Sequence, residues 1–166
     1  MDESDSDGVH GFDFLWGNWR IDNRRLRSRL TGSDDWEEFV AHGACRPILG
    51  GSGNVDDFVP FGESDWSGFE GGAIRLFDPA TAFWSIYWFD NVGHRLLPPL
   101  RGTFQNGIGE FFGVDEHVGR PVQVRFRWAS DGPNGARWEQ AFSVDDCHTW
   151  ESNWLMNFTR LASEEA

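Results

Sequence analysis

Clusters of turn-forming residues interrupt this chain at short intervals, and the segments between them are short runs rich in Val, Ile, Phe and Trp. Several runs alternate apolar and polar residues with period two, which is typical of strands that bury one face. The clusters lie at residues 31–34, 50–54, 78–81, 106–107 and 130–135. Consecutive strands with short loops and no obvious free edge predict an all-β, closed antiparallel up-and-down barrel of about eight to ten strands. A short helical turn is predicted at residues 12–16, before the first strand.

The aromatic content adds a prediction about the barrel interior. The chain has ten Trp and fifteen Phe residues but a single tyrosine, Tyr87. Trp and Phe bury a large apolar area at low rotamer cost, so this number implies an aromatic core or an aromatic-lined cavity. Barrels of this size hold one small ligand. The hypothesis is therefore a protein that binds a small, largely apolar molecule, aromatic or polyketide-like, inside the barrel.

Length and charge limit the domain organisation and the partners. The 166 residues fit one domain, predicted at residues 11–160 between a disordered acidic tail (1–10) and a short C-terminal tail (161–166). Lysine is absent, and fourteen basic residues stand against twenty-seven acidic ones, for a formal net charge of -13. This charge opposes binding to nucleic acid phosphates or to an anionic membrane surface, so neither partner is expected.

Neither the cysteines nor the histidines are spaced like metal ligands. Cys45 and Cys147 lie far apart without a C-x-x-C motif, which indicates two free thiols in a reducing compartment. No metal and no cofactor are expected from the five histidines, which are His10, His42, His94, His117 and His148. Acidic residues follow Met1, and no apolar run approaches the roughly 18 residues of a membrane span, so a soluble, cytoplasmic protein is expected.

The dipeptide Asn106-Gly107 is the strongest two-residue hairpin signal in the chain. It pairs residue 105 with 108, 103 with 110 and 101 with 112, which places Arg101 and Glu110 on one face, close enough for a diagonal contact. If this pair is buried, Arg101 would bind a ligand carboxylate or orient an enol, and Glu110 would serve as an acid or base. If the pair is exposed, it is an ordinary surface ion pair.

Two further hairpins follow when the apolar rows of residues 121–129, 136–145 and 150–160 are aligned. Arg127 then faces Glu139 on the outer side as a solvated ion pair. Gln140 and Ser152 are polar groups on an otherwise apolar inner face. The row predicted to face the interior comprises Phe126, Trp138, Gln140, Phe142, Trp150, Ser152, Trp154, Met156 and Phe158. The predicted ligand contacts in it are Gln140, Ser152, Phe126, Trp138, Phe142 and Trp154.

Period-two alternation divides residues 36–46 into two rows. One row contains Glu38, His42 and Arg46, and the other contains Phe39 and Cys45. If the charged row faced inward, His42 would contact the ligand and could support acid–base chemistry. The alternative places the apolar row inside and the charged row in solvent, which follows the usual distribution of side chains.

Three residues are candidates for catalysis. Tyr87 carries the one phenol of the chain, which would act as a hydrogen-bond donor or general acid in the cavity, or would be a core or interface aromatic. His94 lies in a loop expected at the barrel mouth, where a titrating group is accessible to a ligand. With Glu110, these residues would support a cofactor-free cyclisation, isomerisation or dehydration. A protein that only binds its ligand needs none of them.

The segment 83–89 is apolar on both of its faces. One barrel interior can receive only one of the two rows. The other row would expose an apolar patch unless something covers it, and a second copy of the chain is the simplest cover. The sequence therefore predicts a homodimer.

Several motifs resemble those of calycin barrels. Gly17-Asn18-Trp19 is similar to the G-x-W motif of lipocalin-like proteins. Six ordered blocks between Gly11 and Arg160 resemble a family of small bacterial calycin-like proteins whose function is unassigned; they lie at residues 12–15, 46–51, 53–56, 77–81, 137–143 and 149–160. The resemblance implies a barrel with an interior pocket and implies no catalytic residues.

Two alternative functions accompany the ligand-binding hypothesis. A haem-binding barrel of the nitrobindin type shares the general fold and takes an axial His from a late strand. The last strand of this chain offers Trp154, Met156 and Phe158 but no His. The second alternative is a non-catalytic carrier or interaction protein.

Overall fold

The computed structural model describes residues 7–162, and ten antiparallel strands in this range close into a barrel. Each strand pairs with the next one in the chain, and β1 pairs with β10, so every strand has two neighbours. The predicted fold class is therefore confirmed. Within residues 7–162, no helix has the length and apolar character needed to cross a membrane. The strands are β1 Gly17–Leu26, β2 Trp36–Ile48, β3 Gly53–Phe61, β4 Gly71–Asp78, β5 Phe83–Asp90, β6 Leu100–Gln105, β7 Ile108–His117, β8 Arg120–Ser130, β9 Gly135–Ser143 and β10 Glu151–Arg160.

The segment before β1 closes one end of the barrel, which we call the closed end. It forms 3-10 turns at Gly8–His10 and Asp13–Leu15, and the second of these lies in the predicted helical turn. Phe12 is 1% exposed and lies against Trp84 and Phe104, with ring centroids 5.0 and 4.8 Å away. The first turn belongs to the segment predicted as a disordered tail, and residues 1–6 of that segment lie outside the described residues.

Arg160, at the end of β10, fixes this segment in place. Its guanidinium donates hydrogen bonds to the carbonyl oxygens of Phe14 and Trp16 and, at 2.7 Å, to that of Pro133. The same guanidinium lies 4.2 Å from the ring centroid of Trp19. In the predicted C-terminal tail, the N–H of Leu161 donates to the Asn18 carbonyl at 2.8 Å, and residues 163–166 lie outside the described range.

The strand registers agree with the hairpin predictions except at one position. The pairs 101–112, 103–110 and 105–108 flank the Asn106-Gly107 turn as predicted. Phe126 pairs with Gln140, and Gln140 pairs with Trp154, also as predicted. The β9–β10 register then shifts between Ser152 and Trp154, because Asn153 is an extra residue in β10.

This shift corrects the predicted positions of Ser152 and Trp150. Phe142 pairs with Glu151, and Ser152 is exposed on the outer face, where its hydroxyl donates to Glu139 Oε1 at 2.8 Å. Trp150 lies against Phe112 on the outside of the barrel instead of in the cavity, with ring centroids 6.1 Å apart.

Apolar volume decides which face of each strand is inside. In β6 and β7 the inner positions belong to Phe104 and Phe111, which are 5% and 0% exposed. In β2 they belong to Phe39 and Cys45, which are 6% exposed each. The charged alternating rows of these strands therefore lie outside, as expected from the cost of burying unpaired charge.

Candidate functional site

A cavity of about 280 Å³ occupies the barrel interior. Its walls are mainly aromatic and aliphatic side chains, and it opens at the end of the barrel opposite the closed end. We call that opening the mouth; Leu97 and Pro98 of the β5–β6 connection and His117 at the end of β7 border it. Trp66 of the β3–β4 connection covers part of this end, because its ring stacks on Phe39 at a centroid distance of 4.6 Å.

Five of the predicted ligand-contact residues line this cavity. They are Phe126, Trp138, Gln140, Phe142 and Trp154. Trp138 and Trp154 meet edge to face with ring centroids 5.7 Å apart. Gln140 is the polar member of the set, and its Nε2 donates to Oδ1 of Asn153 at 2.9 Å. The β10 bulge makes this contact possible, because it turns Asn153, which is 0% exposed, into the structure.

The hairpin residues Glu110 and Arg101 lie on the outer face, which corrects their predicted place in the cavity. Phe104 and Phe111 fill the inner positions of the same hairpin. The Glu110 carboxylate accepts a hydrogen bond from Nε of Arg127 at 3.0 Å, so the diagonal contact with Arg101 is not formed. Both side chains of this ion pair are nearly half exposed.

The remaining candidates also lie outside the cavity lining. His42 is exposed on β2 and packs against Phe61 at a centroid distance of 4.2 Å, which is the outcome expected if the apolar row faces inward. Tyr87 lies on the outer side of β5, since Trp84 and Ile86 take the inner positions at 1% and 3% exposure. His94 is exposed in the β5–β6 connection, where its backbone φ is 53°. None of these three side chains borders the cavity.

The outer ion pair expected between Arg127 and Glu139 does not form, and each of the two residues contacts a different partner. These two residues face each other across β8 and β9 as predicted. Glu139 instead lies 3.4 Å from Nη2 of Arg125, while Arg127 contacts Glu110.

A buried polar cluster near the closed end of the cavity was not predicted from the sequence. Asp56 of β3 and Arg75 of β4 line the cavity, with Oδ2 of Asp56 2.7 Å from Nη1 of Arg75. The same Nη1 donates to Oδ1 of Asn54 at 2.9 Å. We call these three residues the floor. The guanidinium also contacts two aromatic rings, 5.3 Å from the centroid of Phe12 and 5.1 Å from that of Trp128.

Burial changes the acid–base properties of the groups at the floor. Burial raises the pKa of the Asp56 carboxyl, and the Arg75 guanidinium and the Ala73 N–H oppose this effect. Cys45 is the cross-strand neighbour of Asp56, and burial raises the pKa of its thiol to about 12. Cys45 is therefore a neutral thiol at physiological pH, whereas the unprotected Cys147 is exposed.

Arginines also occupy the mouth. Arg25 lies over Trp66 and Trp154, 5.1 and 5.0 Å from the ring centroids, and contacts Glu37 at 3.4 Å. Burial lowers the pKa of Arg29, against the effect of nearby carboxylates that include Glu37. The mouth therefore carries both positively and negatively charged side chains, and its walls are aromatic. Among residues 7–162, no group of three or more His, Cys, Asp and Glu side chains is arranged to hold a metal ion.

The alternation of the sequence gives little sign of the floor. In β4 the inner row contains Ala73, Arg75 and Phe77, but Ile74 and Leu76 form an equally apolar row on the outside. The one available signal lies in β3, where the polar residues Asn54 and Asp56 share a face with the apolar Phe58.

The fold and the cavity define a closed ten-stranded antiparallel barrel with an aromatic interior site. In comparisons with known proteins, no family model and no curated protein matches the chain. The resemblance to small bacterial calycin-like proteins stays a prediction.

Proposed function

We propose that this protein binds a small, largely apolar aromatic molecule inside the barrel. The observation that carries the proposal is the cavity of about 280 Å³, which is lined by Trp and Phe side chains and open at one end. Apolar walls of this kind supply affinity without strict directional requirements, while a few polar groups fix the orientation of the ligand. Gln140 in the wall and the Asp56–Arg75 pair at the floor are polar groups available for that role.

Binding is favoured over catalysis in this proposal. The residues predicted to act as acids or bases, Glu110, Tyr87 and His94, are not in the cavity lining. A binding protein requires only the cavity and its polar anchors. The haem-binding alternative would need an axial ligand from the cavity lining.

The test uses the tryptophans as reporters. Neutral naphthalene derivatives should quench Trp fluorescence with saturation at one molecule per chain, because Trp138 and Trp154 line the cavity. A Val124→Phe variant should weaken binding at least tenfold, since Val124 is 3% exposed and borders the cavity. Far-UV circular dichroism would verify that the variant still folds, because an enlarged core side chain costs about 1–3 kcal/mol.

The matched control is Val55→Phe, the same substitution on the outside of β3, where Val55 is half-buried. This variant should keep the affinity of the unaltered protein. Absence of saturable quenching, or an equal loss of affinity in both variants, would contradict binding in the cavity.

A further inference from the structure

The floor offers a hydrogen-bond acceptor to the cavity. Oδ1 of Asp56 accepts from the Ala73 N–H at 2.9 Å, and Oδ2 accepts from Arg75 at 2.7 Å. The Asp56 side chain remains 18% exposed, and because it borders the cavity, a molecule in the cavity can reach it. A carboxylate has about four lone-pair positions, so these contacts leave acceptor capacity for a ligand.

The floor also offers a donor beside that acceptor. The Arg75 side chain is only 4% exposed, and its Nη1 donates to both Asn54 and Asp56. Its Nη2 and Nε have no hydrogen-bond partner among residues 7–162. The rings of Phe12 and Trp128 lie against the guanidinium, with their centroids 5.3 and 5.1 Å from its central carbon. Because Nη1 and Nη2 are bonded to the same carbon, the unpartnered Nη2 lies next to the Asp56 carboxylate.

The charge of the floor limits which ligand can use it. Arg75 does not titrate, and its contact with Oδ2 of Asp56 at 2.7 Å favours the ionised carboxylate, because a neutral carboxyl would leave a buried cation unpaired. Their charges cancel. A ligand that brought its own charge to this end of an aromatic cavity would add an uncompensated charge, which is costly in an apolar environment. The floor therefore favours a neutral polar group.

We propose that the floor recognises a neutral aromatic molecule with a cis amide edge, such as a primary carboxamide or a lactam. Its N–H donates to the carboxylate of Asp56, and its carbonyl oxygen accepts from Nη2 of Arg75. An amide presents this donor and acceptor side by side, in the order that the floor requires. The inference rests on the proposed function, since the aromatic part of the same molecule fills the cavity.

The test compares three probes of similar shape at pH 7. 2-Naphthamide has the donor and the acceptor, 2-acetylnaphthalene keeps only the acceptor, and 2-naphthoate carries a negative charge. Hydrogen bonds to charged groups are strong, so 2-naphthamide should bind at least tenfold more tightly than 2-acetylnaphthalene. 2-Naphthoate should bind most weakly. Fluorescence titration or calorimetry would measure the three affinities.

Substitutions at the floor should change this order. Asp56→Asn leaves Arg75 as an unpaired cation, so 2-naphthoate should become the tightest of the three probes. The double variant Asp56→Leu/Arg75→Met removes both polar groups and should bind 2-naphthamide and 2-acetylnaphthalene with equal affinity. Gln140→Ala is the matched control in the cavity wall, and there the preference for the amide should persist.

A measurement on the unaltered protein covers the case in which a floor variant does not fold. 2-Naphthamide should shift the NMR signal of the Asp56 carboxyl carbon, and 2-acetylnaphthalene should leave it in place. If all three probes bind equally, but Val124→Phe weakens them, the cavity binds ligands and the floor does not select them. If no probe binds, both the proposed function and this inference are wrong.

Discussion

Oδ2 of Asp56 lies 2.7 Å from Nη1 of Arg75 inside the barrel, and the two side chains are 18% and 4% exposed. Replacing Arg75 by Met should lower the free energy of unfolding by about 3–5 kcal/mol, because the Asp56 carboxyl would stay buried without its ionic partner. Urea denaturation would measure the change. The control is Arg127→Met, which breaks the exposed pair with Glu110 and should cost less than about 1 kcal/mol. Equal losses of unfolding free energy in the two variants would show that the buried pair contributes no more to stability than the exposed pair.

Gln140→Ala should reduce both stability and ligand affinity. The substitution removes the donor to Asn153 Oδ1 and leaves a buried amide oxygen unpaired, at a cost of about 1–3 kcal/mol. It also removes a polar group from the cavity wall, so the naphthalene probes should bind more weakly. Ser152→Ala, on the exposed outer face, should leave probe affinity unchanged. Urea denaturation would measure the stability of both variants, and fluorescence titration would measure their affinity for the probes.

Asp145 should make stability depend on pH in the acid range. Hydrogen bonds from the hydroxyl and N–H of Thr149 and from Ser143 lower the pKa of this carboxyl to about 2. A carboxyl whose folded-state pKa is lowered stabilises the protein above its unfolded pKa of about 3.9. That contribution is lost as pH falls through the folded pKa. The melting temperature of Asp145→Ala should therefore lie below that of the unaltered protein at pH 6, and the gap should narrow as pH falls below about 4. A gap that is constant with pH would contradict this assignment.

We expect the protein to form a homodimer through the outer face of β4 and β5. Phe83 is 47% exposed there, and Tyr87 and Phe89 of the same row are partly exposed. Apolar patches of this kind are characteristic of contact surfaces. Sedimentation at micromolar concentration should give twice the mass of the chain, and Tyr87→Glu should shift it toward the monomer. Monomer at all concentrations would contradict the prediction.

The purified protein should not develop a Soret band when haem is added. Within residues 7–162, His117 is the histidine that borders the cavity, and it lies at the mouth instead of on the last strand. The Cys45 thiol, with its pKa raised to about 12, does not supply a thiolate ligand. Stoichiometric haem binding that is lost in His117→Ala would establish the haem-binding alternative.

Local turn chemistry explains why the hairpin registers were predictable. Asn106-Gly107 fixes a two-residue turn, and the turn then determines every pair along β6 and β7. The alternating apolar row of β9 likewise fixes its pairing with β8. Asn153 was not predictable, because a bulge inserts a residue without changing the composition of the strand. That one residue moved Ser152 out of the predicted ligand site.

The site was less predictable than the fold because both faces of several strands carry aromatic residues. The outer side of β7 includes Ile108 and Phe112, which are 50% and 47% exposed, so their presence beside Glu110 did not mark the inside. Arg75 is 3% exposed although an isolated arginine in an apolar strand usually faces solvent. Its burial depends on Asp56 and Asn54 of the neighbouring strand, and such cross-strand compensation becomes visible only when the strands are paired.

The pairing of β1 with β10 has a consequence for how the chain folds. We call this pairing the seam. Trp19 pairs with Arg160 across it, so the barrel closes through contacts between the first and the last strand, which lie far apart in the sequence. Loop-closure entropy opposes such contacts until the intervening hairpins have formed. During synthesis, the hairpins from β2 to β9 can assemble while β10 is still inside the ribosome, but the seam cannot. Until Arg160 emerges and binds the carbonyl oxygens of Phe14 and Trp16, the aromatic interior stays open to chaperones and to other chains.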